Sequence, residues 1–358
     1  MIISERVSAA EPVTRPGRTT AAVFAVALLA AAYTGFRLPG PWVATLDTVS
    51  VTDGFHRRFL VGTLLRPIAL ATGYDVRVFA VASFAVLAML LAVLAVAFVR
   101  AGTGSRRLVI IAWLLLPTGG FLFHEVGYYE QLLYLLLFGA LGLLPRRPAA
   151  ASALLTAGVL VHEITLLTVL PIYVLALSAR FPLRRVVRLA APPVLLELAV
   201  LAVPASAPGS ADRLLTTLRT MGFPVRADAL ALFERTQGQS WALYSIGAVL
   251  LTVVPIAVVV LAGFRALRGP AGLLQITAIG APALLAFAGW DSARWGFLLV
   301  TNFAVVLWLW LGERELDGRR LVVFGATLLV LAHVPLPYFD GHAPRELSGP
   351  GVVSLFSA

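Results

Sequence analysis

Long apolar runs broken by short clusters of arginine recur along almost the whole chain, and no soluble core could hide that much apolar surface. Of the 358 residues 59% are hydrophobic and 13% are charged, with a mean hydropathy of +0.91. Too few polar side chains remain for a large soluble domain. The sequence therefore reads as an all-α, multi-pass membrane protein of about eleven helices, forming one polytopic domain over residues 1–358. Within it, residues 1–204 are read as one N-terminal module, 205–240 as a large outer loop and 241–358 as a set of C-terminal helices.

The chain has no cysteine, which excludes disulfides, thiol catalysis and thiolate metal sites. Its net charge of +10 does not point to nucleic acid, because most of the arginines sit in short loops between apolar runs. That is the distribution expected of cytoplasmic loops. Arg6, Arg15 and Arg18 precede the first apolar run without a secretory cleavage pattern, so this run is expected to stay as an anchor with its N-terminus in the cytoplasm, in the plasma membrane of a bacterium.

The first span is predicted over 21–36. A polar outer segment follows, holding Arg37, Asp47, Asp53, Arg57 and Arg58. The stretch Phe59 to Tyr74, interrupted by Arg66 and Pro67, reads as an interfacial helix, not a span. A second span over 76–99 returns to Arg100, Arg106 and Arg107. Arginine pairs then alternate with His-Glu pairs: Arg106-Arg107, His124-Glu125, Arg146-Arg147, His162-Glu163 and Arg184-Arg185. The apolar intervals are short of the ~20 residues a full crossing takes, so two shallow helical hairpins are expected, each with a His-Glu pair at its outer crest and one broken at Pro117-Thr-Gly-Gly. A span over 189–203 leads to the second outer segment, 205–239, whose ADRLLTTLRTM and ADALALFER have apolar residues at helical spacing and predict two amphipathic helices. Spans over 243–264, 271–289, 296–312 and 321–336 complete the chain, with Trp290 to Trp295 as an outer turn and the tail from Pro337 outside.

Ionisable residues kept inside a membrane usually face a cavity and act there. On this topology Asp53, Glu125, Glu130, Glu163 and Asp291 share one face with Arg57, Arg58 and Arg294, bordered by Tyr128, Tyr129, Trp241, Trp290 and Trp295. Guanidinium forks bind phosphate oxygens, aromatic faces pack on sugar rings, and a carboxylate can take a hydroxyl proton. His124, Glu125, His162 and Glu163 could also hold a divalent cation, Mg, Mn or Zn. HEVGY and HEITL both lack the second histidine of the zinc-protease motif.

In plan the chain resembles the GT-C glycosyltransferases, membrane enzymes that use polyprenyl-phosphate-linked sugars. The likeness lies in a long first outer loop with an acidic residue and interfacial helices, short broken spans after it, and a second large outer loop. It implies transfer of a sugar to an envelope glycan, lipid or protein acceptor outside the membrane. The acid of the first outer loop serves as base in that family. Asp53 in VTDGFHRR matches it, with Asp47 in reserve, although many members carry adjacent acids there and this chain does not. The resemblance also implies that Arg57, Arg58 and Arg294 receive the departing phosphate.

Competing readings are a secondary transporter or lipid flippase, and a polysaccharide polymerase or ligase. Each residue also has a plainer role open to it. Arg57 and Arg58 can anchor among headgroups, Asp291 can pair with Arg294 one helical turn on, and the His-Glu pairs can order their crests. Glu197, in PPVLLELAV, is either a buried hydrogen-bonded acid or a cavity residue.

Overall fold

The computed structural model describes residues 16–116, 121–124, 126–235, 250, 252–258, 260, 270–287, 292–312, 314–334, 338–340 and 343–345. Among the described residues three helices are long and apolar enough to cross a membrane: α1 (Arg18–Gly35), α4 (Val76–Arg100) and α15 (Ser292–Leu311), the last over Arg294–Leu311. Between α1 and α4 lie α2 (Pro41–Asp47), a 3₁₀ turn (Val51–Asp53) and α3 (Phe59–Ala71). The hairpin region follows as α5 (Gly104–Leu115), α6 (Phe121–His124), α7 (Tyr129–Leu143), α8 (Pro148–Val161), a 3₁₀ turn (Glu163–Leu166) and α9 (Val169–Ser178). Next come α10 (Leu183–Ala202), α11 (Ser210–Thr220) and α12 (Ala227–Arg235). A helical segment over residues 252–258 (α13) precedes α14 (Pro270–Gly280), which continues as 3₁₀ helix over Ala281–Phe287, and α16 (Gly318–Ala332). A small antiparallel hairpin, Tyr338–Asp340 with Ala343–Arg345, is the one pair of strands among the described residues and was not expected from the sequence.

The helices sort by what they expose. α15 is buried on every side from Trp295 to Leu307, as a helix at the centre of a bundle must be. The outer helices instead turn large apolar side chains outward. Leu29 on α1, Val81 on α4, Leu195 on α10, Leu273 on α14 and Val322 on α16 are each exposed, and in water such a girdle would be unfavourable at ~25 cal/mol per Å².

Local breaks are satisfied by neighbours. Pro192 and Pro193 interrupt α10, and a proline at 193 leaves the Leu189 carbonyl without its helical donor. Ser152 of α8 donates to that carbonyl at 2.7 Å. Asn302 of α15 ties four helices: its amide donates to the carbonyls of Ala278 (2.7 Å) and Thr168 (3.0 Å), and its carbonyl accepts from the Tyr134 hydroxyl.

Charged groups collect at two ends. At one, Glu315 accepts from the amides of Gly104 and Ser105 at the start of α5 (2.7 and 2.9 Å), and Arg106 stacks on Trp308 at 3.6 Å. Burial opposes the Glu315 charge, but these amides and the Ser105 hydroxyl outweigh it and hold its carboxyl below the ordinary range. The opposite end carries the residues of the candidate site.

Candidate functional site

The first loop is fixed by close backbone approach. α3 lies directly on the preceding segment, where a Cβ on Gly62 would come within 2.1 Å of the Val49 carbonyl oxygen. Gly54 sits at φ +113°, and a Cβ there would meet the Arg213 guanidinium at 2.8 Å. Only glycine fits both the dihedral and the space. The loop is then stitched to the chain after α10: Arg57 N–H donates to the Ala205 carbonyl (2.8 Å), Ala207 N–H to that of Phe55 (2.6 Å), and His56 bridges Ser206.

Asp53 is nearly buried and ion-paired through Oδ2 to Arg66 Nη1 at 2.5 Å. Its backbone carbonyl accepts from Arg213 of α11 at 3.1 and 3.2 Å. His56 beside it is fully buried, and that burial keeps its imidazole below the ordinary value against the pull of Asp53. Asp47 has another fate. Burial lifts its carboxyl well above the usual range, only partly offset by a hydrogen bond with Tyr129, whose hydroxyl donates to the Leu46 carbonyl at 2.8 Å. A carboxyl held neutral is a poor proton acceptor, whereas the Asp53 carboxylate is held in an ion pair with Arg66.

Arg58 joins the loop to the second His-Glu crest. It stands at φ +67° as N-cap of α3, and its guanidinium forks onto Glu163, 105 residues away, with Nε–Oε2 at 2.9 Å and Nη2–Oε1 at 2.5 Å. A left-handed non-glycine residue costs about 1–2 kcal/mol, so the fork holds a strained backbone in place. Glu163 Oε2 also lies 3.1 Å from His162 Nδ1, and the His162 ring meets that of Tyr129 edge-on. At the first crest Glu130, fully buried, pairs with Arg294 of α15, which stacks over Tyr128 at 4.7 Å. Glu130 and His162 are close enough to act on each other electrostatically.

Thus Asp53, Arg57, Arg58, Tyr128, Tyr129, Glu130, His162, Glu163 and Arg294, drawn from distant strings, collect at one end of the bundle. The sequence reading needs several changes of detail. Arg58 and Arg294, expected to face phosphate, are each engaged by a carboxylate. Arg57 is not a headgroup anchor but donates to the carbonyls of Leu201 and Val203 at the end of α10, at 3.2 and 2.7 Å. Trp295 is buried, not part of a rim. Arg294 pairs with Glu130, whereas Asp291, its expected partner, lies outside the described residues, as do Glu125, Trp241, Trp290 and Pro117 to Gly120. His124 is described only as part of α6.

The cation site drawn from His124, Glu125, His162 and Glu163 fits poorly where it can be judged. Both Glu163 oxygens are taken by Arg58 and His162, and among the described residues no three His, Asp or Glu side chains are grouped to hold a metal.

Sequence reasoning passed over Arg66, Arg213 and Asn302. Arg66 and Arg213 look like ordinary interfacial charges, whereas Asn302 left one signal, a single amide inside the otherwise apolar string LLVTNFAVVLW. The chain matches no protein-family model, no curated protein and no solved structure.

Proposed function

We propose that the protein is a multi-pass membrane glycosyltransferase of GT-C type, which moves a sugar from a polyprenyl-phosphate donor to an envelope glycan, lipid or protein acceptor. The observation that carries this reading is the gathering of Asp53, Arg57, the Arg58–Glu163 pair and the Glu130–Arg294 pair at one end of a bundle clad in exposed apolar side chains. A donor with a greasy tail and an anionic head suits that combination, the tail lying against the apolar girdle and the head among guanidiniums. With the arginine-rich loops in the cytoplasm, this end faces outward.

In the reaction Asp53 takes the proton of an acceptor hydroxyl, whose oxygen forms the new bond to the anomeric carbon. The bond from that carbon to the phosphate oxygen breaks, and the phosphate leaves with the electron pair. Arg66, paired with Asp53, keeps the base oriented. Arg57 spends its hydrogen bonds on neutral carbonyls, so of the three arginines first assigned to phosphate it keeps the most positive charge for the leaving group. No step requires a cation.

The test supplies purified protein in lipid nanodiscs with a panel of polyprenyl-phosphate sugars and follows release of polyprenyl phosphate. Asp53→Asn should slow transfer by about 10²–10⁴-fold, the range of a lost general base, with donor binding retained. An Asp53→Asn rate equal to wild type would assign the base elsewhere, as in a polymerase or ligase. Movement of intact donor across a vesicle membrane, with no transfer, would make the protein a flippase.

A further inference from the structure

Between Glu130 and Glu163, and again between Glu163 and Glu197, the sequence has no acid, yet these stretches carry Arg146, Arg147, Arg180, Arg184, Arg185 and Arg188. All six are exposed. Arg185 lies over the Phe181 ring at 4.3 Å. Among the described residues the other five guanidiniums meet no carboxylate and no hydrogen-bond acceptor.

The fold brings them to one end. α8 and α10 run side by side in the same direction, because Ser152 early in α8 bonds the Leu189 carbonyl in the first half of α10 and, further along, Glu163 acts on Glu197. Arg146 and Arg147 immediately precede α8, and Arg184, Arg185 and Arg188 occupy the first two turns of α10. The candidate site is at the other end, where Arg57 holds the carbonyls of Leu201 and Val203.

Burial fixes which face of α10 the arginines share. Val186, Ala190, Pro193, Glu197 and Val200 are buried at spacings of four, three, four and three, the stripe of a single helical face, and it runs through Pro192-Pro193 without a shift. Arg184 and Arg188, four apart and so neighbours on the surface, fall on the opposite face. Two turns further along that face stands Leu195, 64% exposed, with Leu198 exposed beside it. Leu183 and Val187 flank the arginines and are exposed as well. Two guanidiniums thus stand at the head of an outward apolar track, about 10 Å from Arg188 to Leu195 along the axis.

Charge and track together select the occupant. A soluble anion would satisfy the guanidiniums and leave the track bare, and a zwitterionic lipid would bring its own cation among arginines with no acid to receive it. An anionic glycerophospholipid uses both features, its phosphate between Arg184 and Arg188 and its acyl chains along Leu195 and Leu198. We propose that this face of α10, with Arg146 and Arg147 beside it, binds an anionic glycerophospholipid of the leaflet at that end. No step of the proposed transfer depends on it.

The experiment counts lipid bound to the intact protein by native mass spectrometry, in detergent micelles titrated with dioleoylphosphatidylglycerol or with dioleoylphosphatidylcholine, which has the same chains. Wild type should bind the anionic lipid at least about tenfold more tightly. Arg184→Gln/Arg188→Gln should weaken that binding about 10–30-fold, from roughly fivefold for each arginine near an anionic surface, and leave phosphatidylcholine unaffected. Arg184→Lys/Arg188→Lys keeps the charge and should keep most of the affinity. Arg77→Gln/Arg219→Gln removes two exposed arginines from the other end and should bind as wild type does. Because Arg184 and Arg188 have no partner in the protein to lose, the first variant should unfold at the wild-type temperature in lipid-free micelles, which separates lost binding from lost folding. Equal binding of the two lipids by wild type, or equal losses in the two glutamine variants, would overturn the site. Glycerol phosphate bound as tightly as the lipid would also overturn it, leaving a site for anions only.

Discussion

Removing Arg58 tests how the site is held. Its fork on Glu163 spans two segments far apart in the chain, and the paired side chains are 12% and 18% exposed. A fully buried pair broken from one side loses 3–5 kcal/mol and an exposed one at most about 1, so this pair should lose about 2–4 kcal/mol. Glu163→Gln strands the guanidinium and should lose a similar amount. The double variant Arg58→Ala/Glu163→Gln leaves neither charge alone. It should lose no more than the worse single variant, where additivity would predict about twice as much. The backbone supplies an internal control: at φ +67°, Arg58→Gly recovers about 1 kcal/mol of strain relative to Arg58→Ala. The assay is denaturant unfolding of all four variants and wild type in the same mixed micelles. Additive losses, or Arg58→Gly less stable than Arg58→Ala, would show that the pair does not hold the loop to the crest.

Two further outcomes follow from the packing. Asn302→Leu leaves the Tyr134 hydroxyl and the carbonyls of Thr168 and Ala278 buried without their partner, which at ~1–3 kcal/mol each should lower stability by about 3–6 kcal/mol after part is relieved by relaxation. A loss under about 1 kcal/mol by thermal unfolding would mean water or another donor replaces the amide. Glu315, held below its ordinary value of 4.5, contributes stability that is whole above that value and is lost as pH falls through its lower folded value. Wild type should therefore lose its advantage over Glu315→Gln only in acid, and at neutral pH the exposed cap should be worth about 0.5–1 kcal/mol. A stability difference that does not change with pH would refute the cap.

Periodicity and charge placement made most helices legible. The predicted spans over 21–36 and 76–99 correspond to Arg18–Gly35 and Val76–Arg100, and the two amphipathic helices of the second outer segment to Ser210–Thr220 and Ala227–Arg235. α2 was missed because Pro41 to Asp47 is too short to show a period. In the site, grouping was readable where pairing was not. A rule that keeps charges at one level says nothing of which acid meets which base, and the pair that Arg294 makes with Glu130 joins two helices far apart in sequence. Glu197 was undecidable because its role depends on what faces α10 after the Pro192-Pro193 interruption. Asp47 and Asp53 look alike as letters, and only their neighbours, Tyr129 beside one and Arg66 beside the other, tell them apart.

The stitching of residues 55–57 to 205–207 has a bearing on biogenesis. An early-made segment leans on carbonyls and amides made some 150 positions later, Arg57 on Val203 among them, and closing so large a ring is entropically slow. During synthesis Asp53 and its neighbours must wait, unanchored, until the tenth helix has been made. Interrupting synthesis before that point should yield unassembled chains, in which added protease cuts the first loop that it spares in the full-length protein.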